Sequence, residues 1–536
     1  MCAIAGILGP DASGNRLNKL LAPVSHRGEP SYRNEVAILD NIMAIGMHRL
    51  GIINERYGRQ PVINQDKTIF CVFNGEVYNY KELQIELAPF FDFKLNTEAE
   101  VILNAYIHWG YDFVKKLDGK FAIAIIDLNN DDMFLARDPM GVKPLYLLKY
   151  NNNIAFASEI KSLTNITQLS DYNPIISLNP GAYWSAGRET NYYKIPNLNS
   201  SISSNFSELS ALRVSLEKAM QKRIPSNATS IACLLSGGID SSIIAYIASK
   251  YHHNVVAYTL NIAGMESPDY LAAKLICDRF NIKHIIVSPS IKEMQQFYLK
   301  HGVYMTESFE PILVRNAVSY YFVCKQIASD GFKYAFTGEG ADELFGGYDF
   351  IREVGFNQQD SLIKHSLDII SQTYLQMSDR ASMYTTLEAR VPFMDKEFVN
   401  LSMSLPKNYR MSKDDDKIAL RKMYKGELPK VICQRKKLGM NHGSGFGINS
   451  SSESIYYQAV AKHYQASQEN LTKDLATASS YIEEFTLDTK DIEELYNFVR
   501  YIECDYQKYL SRERLQLNGA LRLELKDKLN INELQY

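Results

Sequence analysis

The sequence predicts two packed layers of short strands under helical covers, an α+β arrangement, for residues 1–195. For residues 207–536 it predicts an α/β domain with a parallel, doubly wound sheet and a helical C-terminal part. Three observations lead there. Short apolar runs separated by turn residues fill the first stretch. After a polar, Ser-rich connector from Ile195 to Phe206, apolar runs alternate with helix-length segments, the pattern of a sheet wound through crossover helices. One of those runs breaks into Ser236-Gly237-Gly238-Ile239-Asp240-Ser241-Ser242, a glycine turn that opens a helix.

Taken in order, the first half reads as strands at Ala3 to Leu8, Ile42 to Ile53, Thr68 to Val77, Phe121 to Leu128, Asp132 to Ala136, Leu145 to Tyr150 and Ile154 to Ser158, with a helix from Glu98 to Tyr111. The second half opens with a helix, Ser207 to Ile224. Strands follow at Ile231 to Leu235, Val255 to Leu260, His284 to Val287 and Tyr334 to Thr337. Helices separate them: one after the glycine turn, Tyr270 to Phe280, and Asn316 to Ala328. In such a sheet ligands sit at the carboxyl ends of the strands. The Ser236 turn, Ile262 and Thr337-Gly338-Glu339 therefore gather at one edge, a nucleotide site. After Asn441 the chain reads as helices with a Gly/Ser loop at Gly443 to Ser452.

Composition bounds the function. With 536 residues, 46% apolar and 22% charged, the chain suits a soluble protein of two or more domains. A formal net charge of −3 gives no electrostatic footprint for nucleic acid or for a membrane surface. No apolar run has transmembrane length, and the first residues lack the pattern of a secretory leader. The seven cysteines are scattered singly, which suits reduced thiols in a cytoplasmic setting. Cys71, Cys233, Cys277, Cys324, Cys433 and Cys504 read as small apolar residues.

Cys2 stands apart. Once the initiator Met is removed, it carries a thiol beside a free α-amine, and that amine can take the thiol's proton. Asn74-Gly75-Glu76 can point a side-chain amide and a backbone N–H at a developing oxyanion, although Asn-Gly is also the commonest hairpin turn. In His48-Arg49-Leu50-Gly51-Ile52-Ile53, the Arg49 guanidinium can hold a carboxylate through two hydrogen bonds. The second half carries a phosphate cradle. Gly237 and Gly238 allow close approach, the Ser236, Ser241 and Ser242 hydroxyls add donors, and a helix N-terminus adds unpaired N–H groups. No Lys follows the glycines, so this is not a Walker loop, and Asp240 stands where phosphate-borne Mg²⁺ needs a carboxylate. Far along the chain, Gly338-Glu339-Gly340-Ala341-Asp342-Glu343 crowds carboxylates that repel unless cations sit among them. A Mg²⁺ shared by Asp240 and Asp342 accounts for both segments.

Met1-Cys2-Ala3-Ile4-Ala5-Gly6-Ile7 resembles the start of class II glutamine amidotransferases, of the N-terminal nucleophile type. Ser236-Gly237-Gly238-Ile239-Asp240-Ser241 resembles the pyrophosphate loop of ATP pyrophosphatases. The two modules in this order resemble the glutamine-hydrolysing asparagine synthetases, in patches from Cys2 to about Gly439. Asp379-Arg380-Ala381-Ser382, Leu387-Glu388-Ala389-Arg390-Val391-Pro392 and Arg435-Lys436-Lys437-Leu438-Gly439 also resemble blocks of that family. The resemblance implies Cys2 as nucleophile, Asn74 and Gly75 as oxyanion hole, and Arg49, Leu50, Ile53, Glu76 and Glu98 as holders of glutamine. It implies Leu234, Leu235, Ser236, Gly237, Gly238, Asp240, Ser241, Ser242, Ile262, Thr337, Gly338 and Glu339 around ATP. Asp240 and Asp342 match metal-binding positions, Glu339 the acyl-adenylate centre, and Lys437 a lysine on phosphate oxygens. ATP and Mg²⁺ are the implied cofactors, small molecules the partners, a homodimer is allowed for, and the family carries ammonia through an internal channel.

The chain departs from the family at Ala3 (usually Gly), at Glu29-Pro30 (usually Pro-Asp) and at Glu98 (usually Asp). Ala136-Arg137-Asp138-Pro139, Gly141 to Tyr146 and Ala157 to Lys161 match it and read as structural. After Arg315, Asn316-Ala317-Val318 does not follow the Ser/Thr/Pro pattern of aspartate-specific members. Three functions stay open: amidation of aspartate, amidation of another carboxylic acid by the same machinery, and a non-catalytic binding module of this fold.

Overall fold

The computed structural model describes residues 2–52, 58–166, 175–199, 207–264, 266–308, 311–348, 351–352 and 356–438. Ile53, Gly439, Cys504 and the helices expected after Asn441 lie outside the described residues.

In the first half, strands β1 (Ala3–Leu8), β2 (Glu35–Leu39), β3 (Met43–His48), β4 (Val62–Ile63), β5 (Ile69–Val77), β6 (Gly119–Asp127), β7 (Asp132–Arg137), β8 (Tyr146–Tyr150), β9 (Asn153–Ala157), β10 (Ile175–Ser177), β11 (Ala182–Ser185) and β12 (Arg188–Asn191) build two antiparallel sheets. Their orders are β10-β8-β9-β1-β3-β2 and β12-β11-β7-β6-β5-β4. Successive side chains of a strand point to opposite faces. Ile4, Met43, Ile45 and Met47 of one sheet therefore meet Phe70, Val72, Ala124 and Ile126 of the other in an inner core. Ala5, Ile7 and Ala44 turn outward onto Leu17, Leu20 and Leu21 of the helix Gly14–Leu21. Cys71, Phe73, Ile123 and Ile125 turn outward onto Val101, Ile102 and Ala105 of the helix Glu98–Trp109. The result is the helix-covered sandwich expected. Since both faces of β6 are covered, Phe121 to Ile126 reads as an unbroken apolar run.

In the second half, β13 (Ile231–Leu234), β14 (Val255–Leu260), β15 (Lys283–Val287), β16 (Tyr334–Phe336) and β17 (Glu388–Arg390) form one sheet, ordered β15-β14-β13-β16-β17 and parallel throughout. Ile231 and Cys233 pack on one side with Ile243, Ile244 and Ile247 of the helix Ile239–Tyr251. Ala232, Val256 and Tyr258 pack on the other with Val318 and Tyr320 of the helix Pro311–Ser329. The chain runs outward from β13 to β15 and then returns to β16 on the other side of β13. The crevice beyond β13 and β16 is therefore the topological switch point.

Several elements differ from the sequence reading. The strand expected from Ile42 to Ile53 ends at His48, because Arg49 N–H turns to Tyr32 O (3.0 Å) and Gly51 N–H to Glu29 Oε1 (3.0 Å). Asn74-Gly75 is no hairpin turn: both residues lie inside β5, paired with Ala122 and Phe121. The start of the connector is docked rather than free, with Ile195 and Leu198 on the core and Asn199 N–H bonded to Met403 O at 2.9 Å. Cys433 is only half-buried, whereas Cys71, Cys233, Cys277 and Cys324 are buried as expected.

The halves meet across buried charge. Arg27 donates to Glu159 Oε1 (2.6 Å) and to both oxygens of Asp379 (2.8 and 3.2 Å), while Arg380 donates to Glu307 Oε2 at 2.7 and 3.0 Å. Arg27 and Arg380 are at most 1% exposed. Buried ions of this kind need every partner in place, since removing one leaves the others desolvated and unpaired.

Candidate active site

A cavity in the first half is lined by Cys2, Arg49, Leu50, Gln60, Gly75, Glu76, Tyr80, Glu98 and, from the second half, Glu388. Cys2 ends up there because β1 pairs with β3, which delivers Arg49 and Leu50 to the same rim. Cys2 N–H donates to Asn74 Oδ1 at 2.9 Å, and Arg27 Nε donates to Cys2 O at 3.2 Å. With Oδ1 taken, Asn74 Nδ2 is buried without a hydrogen-bond partner among the described residues. Along β5 the alternate N–H groups face away from β6: Phe73 N–H goes to Gln60 Oε1 and Val77 N–H to Glu98 Oε1, both at 2.7 Å. Gly75 lies between them, on the open edge of the strand. Only glycine fits, since φ is +152° and a Cβ would stand 2.0 Å from Lys120 O. Asn74 is thus tied to Cys2 through Oδ1 with its Nδ2 unpartnered among the described residues, and Gly75 lines the same cavity as Cys2.

Burial pushes the Cys2 thiol up, while the chain's amino terminus, the backbone at Leu50 and the Arg49 guanidinium pull it down. Arg49 lies over the Tyr32 ring at 4.1 Å and is anchored by Glu35 at 3.2 and 3.3 Å. Glu98 starts its helix half-buried at the cavity wall. Burial and the neighbouring Glu76 push its carboxyl up to about 8, against the Val77 N–H bond. Glu76 is held by the Arg390 guanidinium and lies 3.6 Å from Lys120 Nζ. At Glu29, one of the departures from the pattern the sequence resembles, the carboxylate ties Gly51 N–H to Lys333 Nζ (3.1 Å) of the second half.

The second site lies at the switch point. The Ser236 turn folds on itself: Ser241 Oγ accepts from Ser236 N–H (3.2 Å) and meets Ser236 Oγ at the same distance. Gly237 takes a positive φ of 68°, and a Cβ there would strike Ala272 Cβ at 2.4 Å. Gly338, from the loop that follows the neighbouring strand β16, packs so close to Asp240 that a Cβ would meet Asp240 Cβ at 3.0 Å. Ser242 Oγ is buried without a hydrogen-bond partner among the described residues, and Ile262 is fully buried. Asp240 and Asp342 face one another across one ammonium, Lys417 Nζ at 2.5 and 2.6 Å, while Lys437 Nζ reaches Asp342 Oδ2 at 2.5 Å. Burial opposes charge on Asp342, yet the two lysines hold its carboxyl well below the usual carboxylate range. Burial raises Asp240, Glu339 and Glu343, the last two to about 7. Glu339 meets the Thr337 hydroxyl, and Tyr348 OH donates to Glu343 Oε1 at 2.5 Å.

Sequence reasoning missed Lys417, Arg435, Glu388 and Arg390 as site residues. Lys417 follows three aspartates and looks like a solvated charge, yet it is 1% exposed. Arg435 donates to Ser236 O (3.0 Å) and Asp269 Oδ1 (2.6 Å), clamping the turn from outside.

Residues 1–208 match the family described as a glutamine amidotransferase domain, and residues 211–368 and 358–463 match the family described as asparagine synthase. The chain is 31% identical over 472 residues to asparagine synthetase [glutamine-hydrolyzing] 2 of Oryza sativa subsp. japonica, covering 83% of this chain and 78% of that one. It is 30% identical to asparagine synthetase [glutamine-hydrolyzing] of Zea mays, covering 86% and 81%. A solved glutamine phosphoribosylpyrophosphate amidotransferase from B. subtilis is 16% identical, with a TM-score of 0.30 over 53% of this chain and 66% of that one, a likeness too slight to add to these.

Proposed function

Because the chain belongs to the glutamine-hydrolysing asparagine synthetases and is an ATP-using, glutamine-dependent ligase, we propose that it converts aspartate to asparagine with release of AMP and pyrophosphate, through the residues gathered at its two sites. The observation that carries the first site is the Asn74 side chain, whose oxygen receives Cys2 N–H while its Nδ2 is left for a ligand beside Gly75 N–H. With Met1 removed, the Cys2 nitrogen becomes an amine that takes the thiol proton. The thiolate then attacks the glutamine side-chain carbon. Asn74 Nδ2 and Gly75 N–H receive the oxyanion, the Cys2 ammonium returns its proton to the leaving nitrogen so that ammonia departs, and water hydrolyses the glutamyl thioester. Arg49 holds the α-carboxylate, Glu76 and Glu98 the α-ammonium, and Leu50 lines the pocket; Ile53 joins this set from the family resemblance alone.

In the second half, a carboxylate oxygen of aspartate attacks the α-phosphorus of ATP. Pyrophosphate departs toward Ser236, Gly237, Gly238, Ser241 and Ser242, with Leu234, Leu235, Ile262, Thr337 and Gly338 around the nucleotide. Lys437 and Lys417 balance the phosphate charge. Ammonia then attacks the acyl carbon and AMP leaves, with Glu339 beside the acyl-adenylate as proton acceptor. The chemistry of the donors suits Mg²⁺: Asp240 and Asp342 are brought together on the Lys417 ammonium, and Asp240 Oδ1 is a buried carboxylate oxygen without a hydrogen-bond partner among the described residues. Asp240 and Asp342 would hold the ion, which supplies charge neutralisation for the departing pyrophosphate. A second reading, another carboxylic acid as acceptor, is favoured by Asn316-Ala317-Val318, where Asn316 Oδ1 is buried without a hydrogen-bond partner among the described residues.

Aspartate labelled with ¹⁸O in its side-chain carboxylate, supplied with ATP, Mg²⁺ and glutamine, tests the proposal. One labelled oxygen per AMP is expected. AMP formed only with a different acid would replace aspartate, and no AMP with any acid would overturn the ligase reading.

A further inference from the structure

We propose that Arg390 is a positioning residue shared by the two sites, its side chain setting Glu76 in the glutamine cavity and its backbone setting the Thr337 loop. The inference rests on the reading of the first site given above. Arg390 ends β17, the edge strand of the parallel sheet, and is 1% exposed. Its Nη2 bonds Glu76 Oε1, its Nε donates to Glu388 Oε1 at 2.8 Å, and its Nη1 bonds Arg223 O. The guanidinium carbon stands 4.2 Å from the centroid of the Tyr334 ring. Each donor edge is thereby committed, and the planar fork has one orientation.

The consequence for the cavity is direct. Glu76 Oε1 is spoken for, while Glu76 Oε2 makes no hydrogen bond among the described residues and has Lys120 Nζ at 3.6 Å. Glu388, the neighbour that shares Arg390, pairs with Lys120 and itself lines the cavity. The hydrogen bond that orients a carboxylate that would meet the glutamine ammonium therefore comes from a strand of the other half. On its backbone side, Arg390 O accepts the N–H of Thr337 at 3.0 Å. Thr337 opens the turn that carries Gly338 against Asp240 and bonds Glu339 through its hydroxyl. One residue thus touches both sites with different atoms: the side chain serves glutamine, the carbonyl serves the synthetase loop. A side-chain substitution separates the two roles, because the carbonyl survives it.

Steady-state glutamine hydrolysis and ammonium-supported AMP release with aspartate, measured on full-length Arg390→Met and Arg390→Lys, test this. Arg390→Met should raise the glutamine KM by about tenfold or more with kcat within about threefold, the signature of lost binding rather than lost chemistry. Ammonium-supported AMP release should stay within about twofold, and Arg390→Lys, which can reach one carboxylate but not both, should recover part of the KM. An unmoved KM, or both activities falling in parallel, would overturn the proposal. Should Arg390→Met not fold, Arg390→Lys decides alone: KM must rise while ammonium-supported release holds. Wild-type protein that hydrolyses no glutamine would overturn the underlying reading instead.

Discussion

On the proposed reading of the cavity at Cys2, Glu98 makes glutamine binding pH-dependent. Its carboxyl is pushed up to about 8, first by burial, then by Glu76 and Glu388, with Val77 N–H and Arg390 pulling the other way. A glutamine α-ammonium is attracted to the ionised form, and binding must therefore expel the proton that the free site holds. The fraction of sites already ionised is about 1% at pH 6, 9% at pH 7 and 50% at pH 8, from a value of about 8. The glutamine KM should fall about 50-fold between pH 6 and pH 8, and about 0.9 proton should be released per glutamine bound at pH 7. Glu98 is half-buried rather than sealed, and each unit by which water at the wall relaxes the shift brings the first figure down, to about tenfold for a value of 7. Initial rates of hydrolysis across the range, with calorimetry in buffers of different ionisation enthalpy, measure both quantities. Glu98→Gln should show a high KM without the slope, and Glu98→Asp should keep binding with the slope shifted. A flat KM in the wild type, or an equal slope in Glu98→Gln, would refute the reasoning. Stability has a matching sign. The folded protein keeps this proton to higher pH than the unfolded chain, so the contribution is full below about 4.3 and lost as pH rises through about 8. Above pH 8, Glu98→Gln should melt higher than wild type.

Three further outcomes follow from the geometry. Asn74→Asp removes the Nδ2 donor and places a carboxylate where negative charge develops, so kcat for glutamine hydrolysis should fall by about 10²–10³ with a small change in KM, read by glutamate release. Gly75→Ala drives a Cβ to 2.0 Å from Lys120 O. It should cost about 1–3 kcal/mol or more as β5 and β6 are forced apart, read as a lowered melting temperature together with lost glutaminase activity. Asp342→Asn uncouples Lys417 and Lys437 and should abolish AMP formation with glutamine and with ammonium alike, while glutamine hydrolysis continues.

Much of this was legible in the sequence, for identifiable reasons. The parallel strands announced themselves as short apolar runs because both faces are covered, and β14 spans Val255–Leu260 as expected. Edge and short elements did not: β2 exposes Ile38 and Leu39, and β10 to β12 hold three or four residues each. Cys2, Arg49, Gly75, Glu76 and Glu98 do converge on one cavity, and Asp240, Asp342 and Lys437 on another place, because each lies in a motif whose chemistry shows locally. Lys417, Glu388 and Arg390 were silent. Their roles come from pairing across the two halves, and a lone lysine after an aspartate run, or an arginine in an apolar block, carries no local sign of burial.

The central claim is that nitrogen released at Cys2 reaches an acyl-adenylate formed at the Asp240 and Asp342 site of the same chain. The most direct test is product mass spectrometry with ATP, Mg²⁺, aspartate and glutamine labelled with ¹⁵N at its side-chain amide, run on wild type and Cys2→Ala, and repeated with unlabelled ammonium. The account predicts ¹⁵N-asparagine with one AMP per product from wild type, none from Cys2→Ala with glutamine, and full recovery in Cys2→Ala with ammonium. Loss of the ammonium-supported product in Cys2→Ala, or labelled product from Cys2→Ala with glutamine, would contradict it.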